Sequence, residues 1–112
     1  MSESIANVAK FLRIISDPKR LEIILLLKDG EKNSAEIQEA IDKPQPTVSQ
    51  HLKILRNNNL IVTEKKDRIK YYSIKDKFIF KIISSVQSYL INLNEDQIKA
   101  LEKSSIMDTL GK

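Results

Sequence analysis

The sequence contains no cysteine and no tryptophan, and it has one histidine, two glycines and three prolines among 112 residues. Without cysteine the chain forms no disulfide, cysteine-ligated zinc site or iron–sulfur cluster, and a single histidine cannot supply a multi-histidine metal site. No apolar run approaches the roughly 18 to 20 residues that span a bilayer, and the first residues lack the pattern of a secretory signal. We therefore expect no metal, no cofactor, no membrane partner and a cytoplasmic location.

Catalytic signatures are also missing from the sequence. It contains no nucleophile with a recognisable base, no glycine-rich phosphate loop and no carboxylate pair in an apolar setting. With 41% hydrophobic and 30% charged residues, the length and composition fit one compact domain over residues 1–112. We expect a protein that is not an enzyme.

Positive charge is concentrated in the middle of the chain. Between Lys43 and Lys81 ten basic residues stand against three acidic ones, whereas the whole chain has a net charge of +4. The remaining residues are therefore mildly acidic. Such a distribution focuses positive potential on one part of the surface and favours a polyanionic partner.

Helical periodicity covers the first half of the sequence. Apolar residues spaced by three and four predict an amphipathic helix over about 3–15. Phe11 and Ile14 lie off its main stripe, where they either widen the contact with the core or meet another chain. Asp17 followed by Pro18 predicts the start of a second helix, which Gly30 ends.

A helix-turn-helix pattern follows, and it leads into two strands. Asn33 and Glu36 predict a capping box for a third helix that reaches about Ile41. After a proline-containing turn, a fourth helix is predicted from about Pro46 to Asn57. Its inward stripe is Val48, Leu52 and Leu55. Residues from about Ile61 to Ile74 then predict a basic β-hairpin that turns at Asp67.

This order of elements is that of a winged helix-turn-helix, in which the second helix of the pair enters the major groove and the hairpin contacts flanking DNA. The predicted fold class is mainly α with a small β-hairpin (α+β). Gln50 can pair with adenine, and Lys53 with guanine or a phosphate. The residues that we expect to contact DNA are Gln45, Pro46, Thr47, Ser49, Gln50, His51, Lys53, Lys65, Lys66, Arg68 and Lys70. His51 lies at the edge of the buried stripe, which favours packing with one polar contact over a role in pH sensing.

The last third of the chain is helical and unusually apolar. A helix from about Asp76 to Leu93 is apolar over more than half its girth, and Asn94 is expected to cap a last helix that ends near Leu110. One short chain can hardly cover both faces of such a helix, so we expect a homodimer joined through the N-terminal helix (3–15) and the C-terminal helices (76–110). The expected interface residues are Phe11, Ile14, Phe80, Ile83, Gln87 and Ile91.

Three segments resemble a known family of regulators. They are DPKRLEII from Asp17, TVSQHLKIL from Thr47 to Leu55, and RIKYY from Arg68 to Tyr72. Together they resemble the ArsR-like winged-helix transcriptional regulators over about residues 11–74. The resemblance implies a homodimer on a DNA operator of roughly two-fold symmetry, and we expect it to act as a repressor.

The sequence also departs from this family. Asn33 and Ala35 occupy the positions at which many relatives carry a cysteine pair for soft metals, and the helix over 76–93 has no histidine for the zinc site of others. We therefore expect both metal sensors to be absent and leave the effector unassigned. The alternative is a winged-helix protein interaction module that does not read DNA. The basic middle segment and the polar outward face of the fourth helix argue against it.

Overall fold

The structure, a computed structural model, describes residues 2–110 and the side chains of residues 2–103. The elements in chain order are α1 (Glu3–Ile15), α2 (Pro18–Leu26), a 3₁₀ helix (Leu27–Asp29), β1 (Lys32–Asn33), α3 (Ser34–Ile41), α4 (Gln45–Asn57), β2 (Ile61–Lys66), β3 (Ile69–Ile74) and α5 (Phe78–Leu110). They fall into two compact units that divide after Lys77. No helix in the described part of the chain is long and apolar enough to cross a membrane.

The predicted helix boundaries in the first unit agree with the structure to within about one residue, except that α2 ends at Leu26 and a 3₁₀ helix continues to Asp29. Local side-chain chemistry determines the starts of α2 and α3. The Asp17 carboxylate accepts hydrogen bonds from the backbone N–H groups of Lys19 and Arg20 at the start of α2. Asn33 and Glu36 form the predicted capping box at the start of α3. Gly30 follows the 3₁₀ helix with φ of 130°, a conformation that favours glycine.

The hairpin belongs to a three-stranded antiparallel sheet with the order β1-β3-β2. The predicted hairpin is confirmed, but β1 was not expected. In this strand Lys32 pairs with Tyr72 and Asn33 pairs with Tyr71 of β3. The extra strand ties the hairpin to the segment that precedes α3.

An aliphatic core holds the first unit together. Its buried side chains come from α2, the 3₁₀ helix, α3, α4 and β2, and they are Ile23, Ile24, Leu27, Ile37, Ile41, Val48, Leu52, Leu55 and Ile61. The predicted inward stripe of α4 is confirmed, since its three members are at most 2% exposed. Burying such side chains stabilises the fold by about 1.5 to 3 kcal/mol each and fixes how α4 is oriented in this unit.

The faces of α1 differ from the sequence expectation. Its main apolar stripe is largely exposed, at 57% for Ile5, 56% for Val8 and 49% for Leu12. Phe11 and Ile14 are instead half-buried and line a groove with Asn57 to Leu60 at the end of α4. The amphipathic pattern was correct, but the periodicity alone could not tell which apolar face meets the rest of the unit.

The second unit is one continuous helix, α5, so the prediction that Asn94 caps a separate last helix is wrong. Asparagine lowers helix propensity only modestly, and no glycine or proline occurs between Phe78 and Leu110. The helix also begins two residues later than Asp76. Its exposed large apolar residues are Phe78, Val86, Tyr89, Leu90, Ile91, Leu93, Ile98 and Leu101.

Candidate nucleic-acid interface

The candidate site is built on α4, whose buried stripe leaves a polar face toward solvent. The helix begins at Gln45, with Pro46 in its first turn, where the missing N–H is tolerated. It ends at Asn57, after which the Asn58 side-chain amide donates to the Ile54 carbonyl at 2.8 Å and Asn59 adopts a φ of 63°. These features define both ends of the helix, so its outward side chains project from a backbone of defined geometry.

The predicted base-reading residues lie on that outward face. Gln45, Pro46, Ser49, Gln50 and Lys53 are exposed, whereas Thr47 is half-buried. Gln50 presents both a donor and an acceptor, which is what bidentate recognition of adenine requires. The small residues around it leave room for a base pair to approach.

His51 lies on the flank of α4 that contacts Arg20 of α2. It is half-buried, and its Nδ1 lies 3.5 Å from Nη1 of Arg20. Because a guanidinium only donates hydrogen bonds, Nδ1 accepts in this contact when His51 is in the tautomer that carries its proton on Nε2. His51 thus makes a polar contact within the protein, to Arg20, and its expected contact with DNA stays a prediction.

Arg20 connects three helices in the first unit. Its Nε donates to the carbonyl of Ile14 at 2.6 Å and its Nη2 to that of Arg13 at 3.4 Å, which satisfies carbonyls at the end of α1. Its Nη1 also lies 3.9 Å from an Asp17 carboxylate oxygen. The side chain is only 15% exposed, so these contacts form in a sheltered setting.

The Asp17 carboxylate is held in its charged form by this arrangement. Burial by itself raises the pKa of Asp17, but hydrogen bonds from the backbone N–H groups of Arg20 and Lys19 and the nearby His51 and Arg20 side chains lower it. The net result is a pKa below the usual 3.8. The same carboxylate therefore caps α2 and neutralises part of the Arg20 charge.

The wing is the hairpin of β2 and β3, and its tip is a two-residue turn. Asp67 and Arg68 occupy the turn with φ of 50° and 71°, the positive values found in type I′ hairpins. The predicted turn at Asp67 is confirmed, and both Asp67 and Arg68 adopt the left-handed conformation. The turn places the exposed Arg68 side chain at the tip of the wing.

The basic residues of the wing are divided between its two faces. Lys65 lies directly opposite Lys70 in the ladder, so the two share one face. Lys66 lies on the other face, where its Nζ contacts the Glu31 carboxylate at 2.6 Å and lies 5.9 Å from the centre of the Tyr71 ring. The hydrogen bond with Glu31 raises the pKa of Lys66. Lys66 is thus grouped with Glu31 and Tyr71, apart from the other predicted wing residues.

Two residues that the sequence did not single out complete a cleft between α4 and β3. Arg56 and Tyr72 line it together with Ser49, Leu52, Lys53, Asn57 and Lys70, and its volume is about 330 Å³. We call this the helix–wing cleft. Ser49, Lys53 and Arg56 each come one residue after a member of the buried stripe, so they share one face of α4. This helical spacing could have identified Arg56 from the sequence. Tyr72 could not be identified without the strand register.

The positions that hold soft metals in some ArsR-like regulators do not fit a metal here. The Asn33 side chain accepts a hydrogen bond from the Glu36 N–H at 2.9 Å as part of the capping box, and Ala35 has no ligating atom. Within the described residues no group of three or more histidine, cysteine or acidic side chains could hold a metal ion. The expected absence of a metal sensor stays a prediction.

The predicted dimer contacts are distributed over both units. Phe11 and Ile14 are half-buried in the first unit. On α5, Phe80 and Ile83 are half-buried, and Gln87 and Ile91 are exposed. Exposed apolar side chains also lie on α1, at Ile5, Val8 and Leu12.

Comparison with known proteins places this chain in a family. The sequence profile described as bacterial regulatory protein, arsR family, matches residues 17–63. The arsenical resistance operon repressor of Staphylococcus xylosus is 36% identical over 76 residues, which cover 68% of this chain and 73% of that repressor.

Solved structures share the fold. Rv0081 of M. tuberculosis superimposes with a TM-score of 0.80 at 19% identity, covering 88% of this chain and 99% of its own. A fragment of Mb0332 from Mycobacterium bovis, described as a homodimeric winged helix-turn-helix DNA-binding domain, has a TM-score of 0.72 at 24% identity and covers 86% and 93% of the two chains. The fold is therefore a winged helix-turn-helix, and the chain belongs to the arsR family of bacterial regulatory proteins.

Proposed function

We propose that this chain is a sequence-specific, double-stranded DNA-binding transcriptional repressor that acts as a homodimer on an inverted repeat. The observation that carries the proposal is the exposed polar face of α4, held in place by the fully buried stripe of Val48, Leu52 and Leu55. In a winged helix-turn-helix the corresponding helix lies in the major groove. The family membership of the chain supports the same assignment.

Base recognition is assigned to the outward face of α4. Gln50 is its central residue, with Pro46 and Thr47 toward the N-terminus. A bidentate amide contact to adenine contributes about 1 to 3 kcal/mol of discrimination against other bases. Gln50 is therefore the residue on which operator sequence should depend most strongly.

Phosphate contacts are assigned to the wing. Arg68 at the wing tip and Lys65 and Lys70 on one wing face are exposed. The Glu31 carboxylate already pairs with Lys66. We therefore expect Lys66 to stabilise the wing more than it contributes to DNA affinity, because its charge is partly neutralised.

A homodimer explains the exposed apolar side chains. Ile5, Val8 and Leu12 form a stripe on α1, and α5 exposes several more aliphatic residues. Large exposed apolar stripes mark interaction surfaces, and closed two-fold dimers are the commonest assemblies. In the proposed dimer the α1 stripe meets the second copy, and the half-buried Phe11 and Ile14 support it from beneath.

The proposed repressor does not respond to soft metals or zinc through the sites of its metal-sensing relatives. Neither Asn33 nor Ala35 can act as a soft-metal ligand. Addition of zinc, cadmium or arsenite should therefore leave operator affinity unchanged. Stoichiometric release of DNA by any of these ions would contradict this part of the proposal.

Selection from random-sequence duplex DNA tests the proposed function. The enriched duplex should contain an inverted repeat and bind at least about a thousandfold more tightly than a scrambled duplex, with affinity that falls steeply as salt rises. Weak binding without enrichment would contradict sequence-specific regulation. The next experiment would then be a search for protein partners, which tests the alternative of a winged-helix protein interaction module.

A further inference from the structure

The helix–wing cleft carries three cationic side chains without acidic partners. Lys53 and Arg56 project from α4 and Lys70 from β3. Among the residues that the structure describes, no hydrogen bond or ion pair engages any of these three side chains, whereas Lys19, Arg20 and Lys66 each pair with a carboxylate. Three like charges around one cleft repel each other, and a bound anion would relieve that repulsion.

A fourth cationic side chain strengthens this positive region. Lys65 lies directly across the ladder from Lys70, and like charges at directly opposed positions destabilise a hairpin. The acidic residue of β2, Glu64, lies opposite Tyr71 and therefore on the other face. The strands thus place their one acidic side chain on the face away from the cleft.

The other lining residues suit an oxyanion that is part of a polar backbone, as a phosphate group of DNA is. Ser49, Asn57 and Tyr72 supply hydroxyl and amide groups that can donate hydrogen bonds. The cleft is lined by Lys53 and lies next to Gln50 on α4. A duplex bound to that face of α4 therefore has backbone phosphates close to the cleft. Guanidinium groups bind phosphate oxygens through two parallel hydrogen bonds, which makes Arg56 the most specific of the three cations for this anion.

We propose that the helix–wing cleft binds one backbone phosphodiester of the operator, with Arg56, Lys53 and Lys70 as its ligands, and thereby fixes the register of α4 in the groove. This inference rests on the proposed function, because the ligand belongs to the DNA that α4 reads. It adds Arg56 and Tyr72 to the interface and gives the wing a role beyond its tip.

Phosphate interference tests the proposal on the full-length protein. A series of operator duplexes, each with a neutral methylphosphonate at one backbone position, is titrated with the wild type and with Arg56→Gln. For the wild type, one position in each half-site should lower affinity by about ten- to a hundredfold. Arg56→Gln should lower affinity for the unmodified duplex similarly, and it should lose most of its sensitivity at that position.

Two further variants serve as controls. Arg56→Lys keeps the charge and should recover part of the affinity, and Lys99→Gln removes one exposed charge from α5 without changing the interference pattern. The slope of log affinity against log salt should fall by about one unit for Arg56→Gln. Circular dichroism of each variant checks that the fold is retained, which we expect because Arg56 is exposed.

The outcomes separate this inference from the proposed function. If the wild type binds an operator but Arg56→Gln shows the same interference at every position, the cleft does not hold a phosphodiester and the inference is wrong. If Arg56→Gln loses no affinity, the same conclusion follows. If the wild type itself selects no operator, the proposed function has failed before the cleft is tested.

Discussion

Nη1 of Arg20 lies 3.5 Å from Nδ1 of His51, and Arg20 thereby connects the end of α1 to α4. The same guanidinium donates to the Ile14 carbonyl at 2.6 Å. One side chain therefore links the helix proposed to meet the second copy with the helix proposed to read DNA. His51 belongs to this linkage, and its expected contact with DNA stays a prediction.

Replacing Arg20 tests this linkage. Arg20→Ala should lower the free energy of unfolding by about 1.5 to 3 kcal/mol, because it leaves carbonyls at the end of α1 and His51 without their charged donor. Arg20→Lys should recover little of this stability, since an ammonium group cannot reproduce the planar, several-donor geometry of the guanidinium. Arg13→Ala is the matched control, because Arg20 contacts the backbone carbonyl of Arg13, which this substitution keeps. Urea denaturation measures the differences, and equal losses for Arg20→Ala and Arg13→Ala would contradict the linkage.

The lowered pKa of Asp17 predicts a dependence of stability on pH. A carboxyl whose pKa is lower in the folded state stabilises the fold fully above its unfolded value and loses that contribution as pH falls through the folded value. Asp17→Asn keeps a good N-cap but cannot titrate. The stability difference between wild type and Asp17→Asn should therefore be present at pH 7 and shrink below about pH 4.

Urea titrations at a fixed protein concentration and several pH values would measure this difference. Taking the difference between the free energies of unfolding of the two proteins cancels the contribution of the other carboxyl groups that titrate in the same range. A difference that stays constant down to pH 2 would show that the Asp17 charge makes no contribution to stability.

The turn of the wing predicts opposite effects of one substitution on stability and affinity. Arg68 holds a φ of 71°, which is unfavourable for a residue with a Cβ. Arg68→Gly should raise the free energy of unfolding by up to about 1 kcal/mol and weaken DNA binding, because the charge at the tip is lost. Arg68→Gln should weaken binding to a similar degree without the gain in stability. If both variants changed stability equally, the turn strain would not be the cause.

The exposed stripe of α1 predicts the oligomeric state. Leu12→Glu should raise the dimer dissociation constant by at least about a hundredfold, because an uncompensated carboxylate in an interface costs about 3 kcal/mol or more. Lys10→Glu changes the charge on the opposite side of the helix and should leave the dimer intact. Sedimentation equilibrium distinguishes these results. A Leu12→Glu protein that remains as dimeric as the wild type would move the interface away from this stripe.

The sequence predicted those elements whose signals are local. The bounds of α3 follow from the capping box of Asn33 and Glu36, and the buried stripe of α4 follows from helical spacing. The two-residue strand β1 has no local signal, because its pairing partners Tyr71 and Tyr72 are distant in the chain. The continuity of α5 through Asn94 was not predicted. The low helix propensity of asparagine is a weak effect, and the surrounding helix overrides it.

The candidate site was predictable to the same extent. Gln50 and Lys53 followed from the helical wheel of α4. The partner of His51 could not be predicted, since Arg20 is 31 residues away in sequence. Arg56 was missed because its role depends on how β3 packs beside α4, and the division of Lys65 from Lys66 depends on strand register.

The most direct test of the central claim compares Gln50→Ala with the wild type on the selected operator and on a scrambled duplex, at two salt concentrations. If α4 reads bases through Gln50, the variant should lose about tenfold or more in affinity for the operator and almost nothing for the scrambled duplex, with an unchanged salt slope. Equal losses on both duplexes would show that Gln50 does not read sequence and would contradict the account of α4 as the recognition helix.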